Sequence, residues 1–126
     1  MTAGSWALWN VAVAGLFGAA GVVLAAAAAH RVSDPSLMTA ALFLILHGGA
    51  AIALSVLAGG SLAPLGFLVS ASLILFGVAL FSGDVVARVM LGDRLFPFAA
   101  PIGGSLLILS WLVAALIGLI GAIRAP

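Results

Sequence analysis

A chain of 126 residues that is 66% hydrophobic and 6% charged, with a mean hydropathy of +1.45, is not a water-soluble domain. Such domains average about 45–50% apolar and about 25% charged residues, and none of this size buries so much apolar surface. The net charge of +1 comes from four arginines against three aspartates, so the pI near 9.2 marks no basic face and argues against a nucleic-acid partner; the absence of cysteine removes disulfides, thiolate ligands and thiol redox chemistry.

A transmembrane helix takes about 20 residues, so four spans and short loops use up the chain. The expected fold is an all-α integral membrane protein, a four-transmembrane-helix antiparallel bundle running up-down-up-down. It forms one domain over residues 1–126, with spans at about 6–29, 37–58, 65–82 and 102–123.

The first span opens on Trp6 and Trp9, suited to an interfacial belt, with Asn10 one turn inside. It has no basic n-region and is too long for a signal-peptide core, so it reads as a retained span. Gly15, Gly18 and Gly21 recur every three residues, followed by five alanines from Ala25 to Ala29. Without a preceding strand this spacing is no nucleotide fingerprint; small residues let helices approach closely in lipid. His30 then stands at a membrane edge, solvated or capping a loop. Ser33 and Asp34 precede Pro35, either one a good N-cap for the next helix.

The second span holds His47 roughly 15 Å from its start. The hydrocarbon core is about 30 Å thick, which puts the ring near the midplane. Lipid offers an imidazole no partner, so His47 must find one inside the bundle. Thr39, Phe43, His47, Ala51 and Ser55 follow at i, i+4 and should look inward. Gly59, Gly60, Ser61, Leu62, Ala63 and Pro64 form an uncharged turn. In the third span, Gly66, Ser70 and Gly77 make a small-residue face, and Ser70 and Ser72 can return their hydroxyls to the backbone.

Residues 83–101 read as the irregular region. Asp84 and Arg88 are spaced to pair on a helical extension as an exposed interfacial pair, or as a docking point for a partner subunit. Val85, Val86, Val89 and Met90 would then lie in the interface, and Gly92-Asp93-Arg94 would end the extension. Leu95-Phe96-Pro97-Phe98 suits an aromatic anchor. Pro101 fits the first turn of the last span, with Gly103 and Gly104 just inside. On that span Ser110, Ala114, Gly118 and Ala122 are small at every fourth position. Trp111 lies mid-span, where its indole N–H could donate to His47. Arg31, Arg88 and Arg94 fall on one side, against Arg124 and the amino terminus on the other. The basic count therefore places loops 30–36 and 83–101 in the cytoplasm.

Several of these residues stand in a recognisable order: His30 after the small-residue run, Thr39-Ala40 ahead of His47, Leu80-Phe81-Ser82-Gly83, Ala100-Pro101-Ile102-Gly103-Gly104, and Trp111 followed by Gly121-Ala122-Ile123-Arg124. In that order the chain resembles a divergent member of the domain of unknown function 423 family, the transmembrane protein 256-like small membrane proteins, over nearly its whole length. It departs from the family pattern at the all-alanine run, at Phe43 and Leu44 where tyrosine and glutamine are usual, and at Asp84 where a small residue is usual. The resemblance implies the four-span fold and no biochemical activity.

Catalytic inventory is poor. The aspartates sit in or beside loops, the serines have no nearby base, and the membrane glutamate of small proton-coupled exporters is missing. His30 and His47, about 25 Å apart along separate helices, share no metal. No cofactor is expected. The leading expectation is a non-enzymatic accessory or stabilising subunit in a bilayer, docked laterally on a larger membrane complex of other subunits or on copies of itself, in the bacterial inner membrane. The rival is a small solute or ion transporter component, with His47 and a helix break at Pro101, Gly103 and Gly104 forming a midplane polar site.

Overall fold

Several helix ends lie where the sequence supplies a capping residue or a proline. In the structure, a computed structural model describing residues 1–60 and 63–124, α1 spans Ala3–His30, α2 Pro35–Gly60, α3 Pro64–Leu91 and α4 Ala99–Arg124. The Thr2 hydroxyl accepts from Ser5 N–H at the head of α1, and the Arg31 and Val32 amides close its end on the Ala27 carbonyl. Asp34 caps α2, its Oδ1 accepting from Ser36 N–H at 2.9 Å and from the Ser36 hydroxyl at 2.6 Å. Pro64 opens α3, and Gly92, with φ 79°, closes it in the left-handed conformation that glycine adopts freely. All four helices are long and apolar enough to cross a membrane, and the fold is an all-α four-helix membrane bundle.

The helices outrun the expected spans at both ends, because capped turns carry polar residues that an apolar count leaves out. The helical extension expected over Asp84 and Arg88 forms: α3 continues through Gly83 and Asp84 to Leu91 and ends at Gly92, which confines the irregular region to 92–98. Its buried face is the correction. Val85, expected in the interface, is buried in the bundle, and so is Asp84, expected to be exposed, while Met90 is exposed. Of the turn between α2 and α3, positions 61 and 62 lie outside the described residues, as do 125 and 126 at the end of the chain.

Sequential helices pack side by side, and α1 also reaches α3. The two inner helices, α2 and α3, each bury 44% of their most apolar stretch; the outer two bury 11%. The α3–α4 seam is a row of small-residue contacts in antiparallel register. A Cβ on Gly66 would lie 2.6 Å from Ile117 Cδ1, and one on Gly103 would lie 2.6 Å from the Gly77 carbonyl oxygen. Between them the Ser70 hydroxyl donates to the Ser110 carbonyl at 2.8 Å, not to its own helix as expected. The α1–α2 seam closes in the same way, with Gly21 on the Ala41 carbonyl and Gly48 on the Ala14 carbonyl. The Ser82 hydroxyl ties α3 to the Ala40 carbonyl of α2.

Other small residues have no such neighbour. Gly15, Gly18, Gly118 and Gly121 would each carry a Cβ with nothing within 4 Å. The expected inward face of α2 holds at His47, Ala51 and Ser55 but turns outward at Thr39, because a row spaced at i, i+4 drifts around a helix of 3.6 residues per turn.

Candidate functional site

Antiparallel folding gathers most of the charge at one end of the bundle, where α1 passes to α2 and α3 to α4. Here α3 carries Asp84, whose side chain is 1% exposed. Its Oδ1 accepts from the Leu95 amide at 3.0 Å, tying down the 92–98 connection. Its Oδ2 lies 3.2 Å from Arg88 Nε, an ion pair without hydrogen-bond alignment. The pair forms at the expected i, i+4 spacing, but only Arg88 is exposed; the carboxylate is sealed inside. Burying it is tolerable because two partners meet it there.

Beside this pair, between α3 and α4, a groove of about 590 Å³ is lined by Phe81, Arg88, Arg94, Pro101, Gly104 and Ile108, with Asp84 at its wall. Pro101 sits in the first turn of α4, where the missing N–H costs nothing, and α4 runs on without a break. The helix interruption expected at Pro101, Gly103 and Gly104 is therefore absent. Gly103 is the close crossing point with α3, while Gly104 has only Phe81 Cδ2, at 3.9 Å from an added Cβ. Just ahead of α4, Phe98 holds φ at 68°, a left-handed turn costing a non-glycine residue about 1 kcal/mol.

On the first loop, the hydroxyl and backbone of Ser36 hold the Asp34 carboxyl below the usual carboxylate range, with a smaller pull from Arg88. His30, the last residue of α1, is exposed beside that loop. It stands at the opposite end of the first loop from α2 and does not meet His47.

His47 is buried, as its mid-membrane position requires. Its Nδ1 lies 2.8 Å from the Phe43 carbonyl oxygen, one turn back on α2. A carbonyl only accepts, so Nδ1 carries the proton in this contact. The ring packs on Phe43 at a 5.0 Å centroid distance, and Phe43 stacks on Phe81 of α3 at 4.6 Å. Trp111 meets His47 edge-on at 6.2 Å and 64°. The two indeed lie together, but as an aromatic contact: among the described residues no hydrogen bond joins them. Trp111 is 44% exposed, so it is a flank of the cluster rather than an interior partner.

A second polar cluster was not singled out from the sequence. Asn10 is buried between α1 and α3. Its Nδ2 donates to the Leu68 carbonyl at 3.4 Å. The Ser72 hydroxyl lies 3.0 Å from both Asn10 Oδ1 and the Leu68 carbonyl, and its single proton serves one at a time. Trp6 Nε1 donates to Ser72 Oγ at 2.9 Å, so Trp6, expected only as a belt residue, clamps α1 to α3. The signal was present: Asn10 is the lone carboxamide in a chain without glutamine, and lipid would leave it unpaired.

Every hydroxyl and amide in these clusters is spent on fixing one helix against another or against its own turn. A family model described as "Protein of unknown function (DUF423)" matches residues 17–104. That segment contains His30, His47, Asp84, Arg88, Arg94, Pro101, Gly103 and Gly104, and stops short of Trp111. Neither the curated proteins nor the solved structures contain a match.

Proposed function

The chain belongs to the DUF423 family of proteins of unknown function, and from that premise we propose that it is a non-enzymatic accessory or stabilising subunit, docked laterally on a larger membrane complex or on copies of itself. The observation behind this reading is the outer face of α4. That helix leans on α3 along one seam, while Gly118 is exposed and an added Cβ there would meet nothing within 4 Å. In lipid the hydrophobic effect does not drive helices together; close backbone approach over small residues does. A second helix laid along that ridge would gain the contact that Gly66, Gly77 and Gly103 already give the inner seam.

The setting we propose is the bacterial inner membrane, with the Arg31, Arg88 and Arg94 end in the cytoplasm. Transport gains no specific support. His47 spends its Nδ1 proton on its own helix, and α4 is continuous where a discontinuous helix would line a polar site.

Blue-native electrophoresis of mildly solubilised membranes tests the docking reading. Migration above the monomer, lost on Gly118→Leu with the helical content unchanged, is the expected result. Migration only as a free monomer overturns it.

A further inference from the structure

The α3–α4 groove at the charged end runs from arginine side chains to apolar ones. Its polar end is set by Arg88, one turn before the end of α3, and by Arg94 on the connection to α4. Its apolar end is Phe81 and Ile108. Ile108 lies nine residues along α4 from Ala99, about 13 Å deeper into the membrane at the helix rise. The groove therefore passes from headgroup level into the acyl region along one continuous wall. Glycine at position 104 keeps that wall open, since an added Cβ would meet only Phe81 Cδ2 at 3.9 Å.

Charge decides what fits. Three charged groups line the groove, and the negative one, Asp84, is sealed at 1% exposure. Its Oδ2 lies 3.2 Å from Arg88 Nε; the terminal nitrogens of that guanidinium make no hydrogen bond among the described residues, and its charge also reaches Asp34. Asp84 Oδ1 takes the Leu95 amide, which fixes the connection next to Arg94. The buried carboxylate is thus a positioning residue, holding one arginine and the neighbour of the other at the mouth of the groove. Two guanidiniums at headgroup depth are a phosphate-recognising pair, and basic pockets between transmembrane helices bind anionic headgroups.

We propose that this groove is a binding site for one anionic phospholipid, its phosphate held by Arg88 and Arg94 and one acyl chain laid over Phe81 and Ile108. The site is separate from the outer ridge of α4 and does not depend on the docking reading.

Native mass spectrometry of the full chain, released from detergent after addition of phosphatidylglycerol or phosphatidylcholine, reads the site directly. The wild type is expected to retain phosphatidylglycerol in preference to phosphatidylcholine. Arg94→Gln, which touches no side chain of the Asp84 pair, should lower that preference about fivefold, and Arg88→Gln with Asp84→Asn should do the same. Arg124→Gln, at the other end of the bundle, should leave it unchanged. Gly104→Leu should expel both lipids by filling the groove. Equal retention of the two lipids overturns the proposal. So does an Arg94→Gln chain that binds like the wild type, and so does full displacement by millimolar inorganic phosphate, which would mark a soluble-anion site instead.

Discussion

At the scale of single residues, the polar groups divide by what they are attached to. His47 is the clearest case. Its Nδ1–H goes to the Phe43 carbonyl, and the rest of the ring is packing surface against Phe43 and Trp111. If that is its whole contribution, ring volume matters more than nitrogen. His47→Phe should then hold thermal stability in detergent to within about 1 kcal/mol, while His47→Ala leaves a cavity and costs about 3 kcal/mol. Equal losses for both variants would mean that the hydrogen bond, not the fill, is what the bundle needs. Asp84 behaves differently, because its charge is sealed in. Removing its partner by Arg88→Ala strands a buried carboxylate, whereas Asp84→Asn keeps an acceptor for the Leu95 amide. Arg88→Ala should therefore cost more stability than Asp84→Asn, by about 1–2 kcal/mol, the buried-pair cost discounted for the exposure of Arg88. The ordering of the two midpoints checks it.

At the scale of helices, the number of spans could be read from the chain because span length and apolarity are properties of each segment alone. Caps were legible for the same reason: Asp34 ahead of Pro35 and Gly92 after α3 act within a few residues of themselves. So was the extension of α3 over Asp84 and Arg88 to its stop at Gly92. The burial of Asp84 was not: Asp84 and Arg88 look like an exposed interfacial pair until α4 and the 92–98 connection fold over the carboxylate. Nor could the glycines be sorted. Gly103 and Gly118 are the same residue on the same helix, but one meets α3 and the other meets nothing within 4 Å; which one packs depends on how α4 is rotated, a property of the pair of helices. The contrast yields a measurement. Gly103→Leu drives a side chain into the Gly77 carbonyl and the Phe81 backbone, and overpacking of this kind costs about 1–3 kcal/mol. Gly118→Leu should change the stability of the isolated protein by less than about 0.5 kcal/mol. Unfolding in mixed micelles, followed by circular dichroism, separates the two; equal losses would mean that the α3–α4 seam is not where the register puts it.

At the scale of the whole molecule, four antiparallel crossings divide the chain between two membrane faces. Thr2 and Ala63 share one face; Ser33 and Asp93 share the other. The second face holds Arg31, Arg94, Arg88 and the sealed Asp84, so the groove between α3 and α4 opens on the side with more arginine. This arrangement also explains why the aspartates are tolerated so near the hydrocarbon: Asp34 and Asp84 both lie within reach of Arg88 or a capping donor, and their charges do not face lipid alone. Because the chain has no cysteine, single cysteines report on sidedness without a background. In intact cells, a membrane-impermeant maleimide should label Thr2→Cys and Ala63→Cys together. Ser33→Cys and Asp93→Cys should react only after the membrane is opened, if the positive-inside count sets the orientation. Labelling of Ser33→Cys and Asp93→Cys from outside would invert the orientation and leave the pairing of positions intact. Labelling of Ser33→Cys with Ala63→Cys would break the pairing itself, since α2 would then fail to cross, and the seams that hold Gly21, Gly48 and His47 inside the protein could not form.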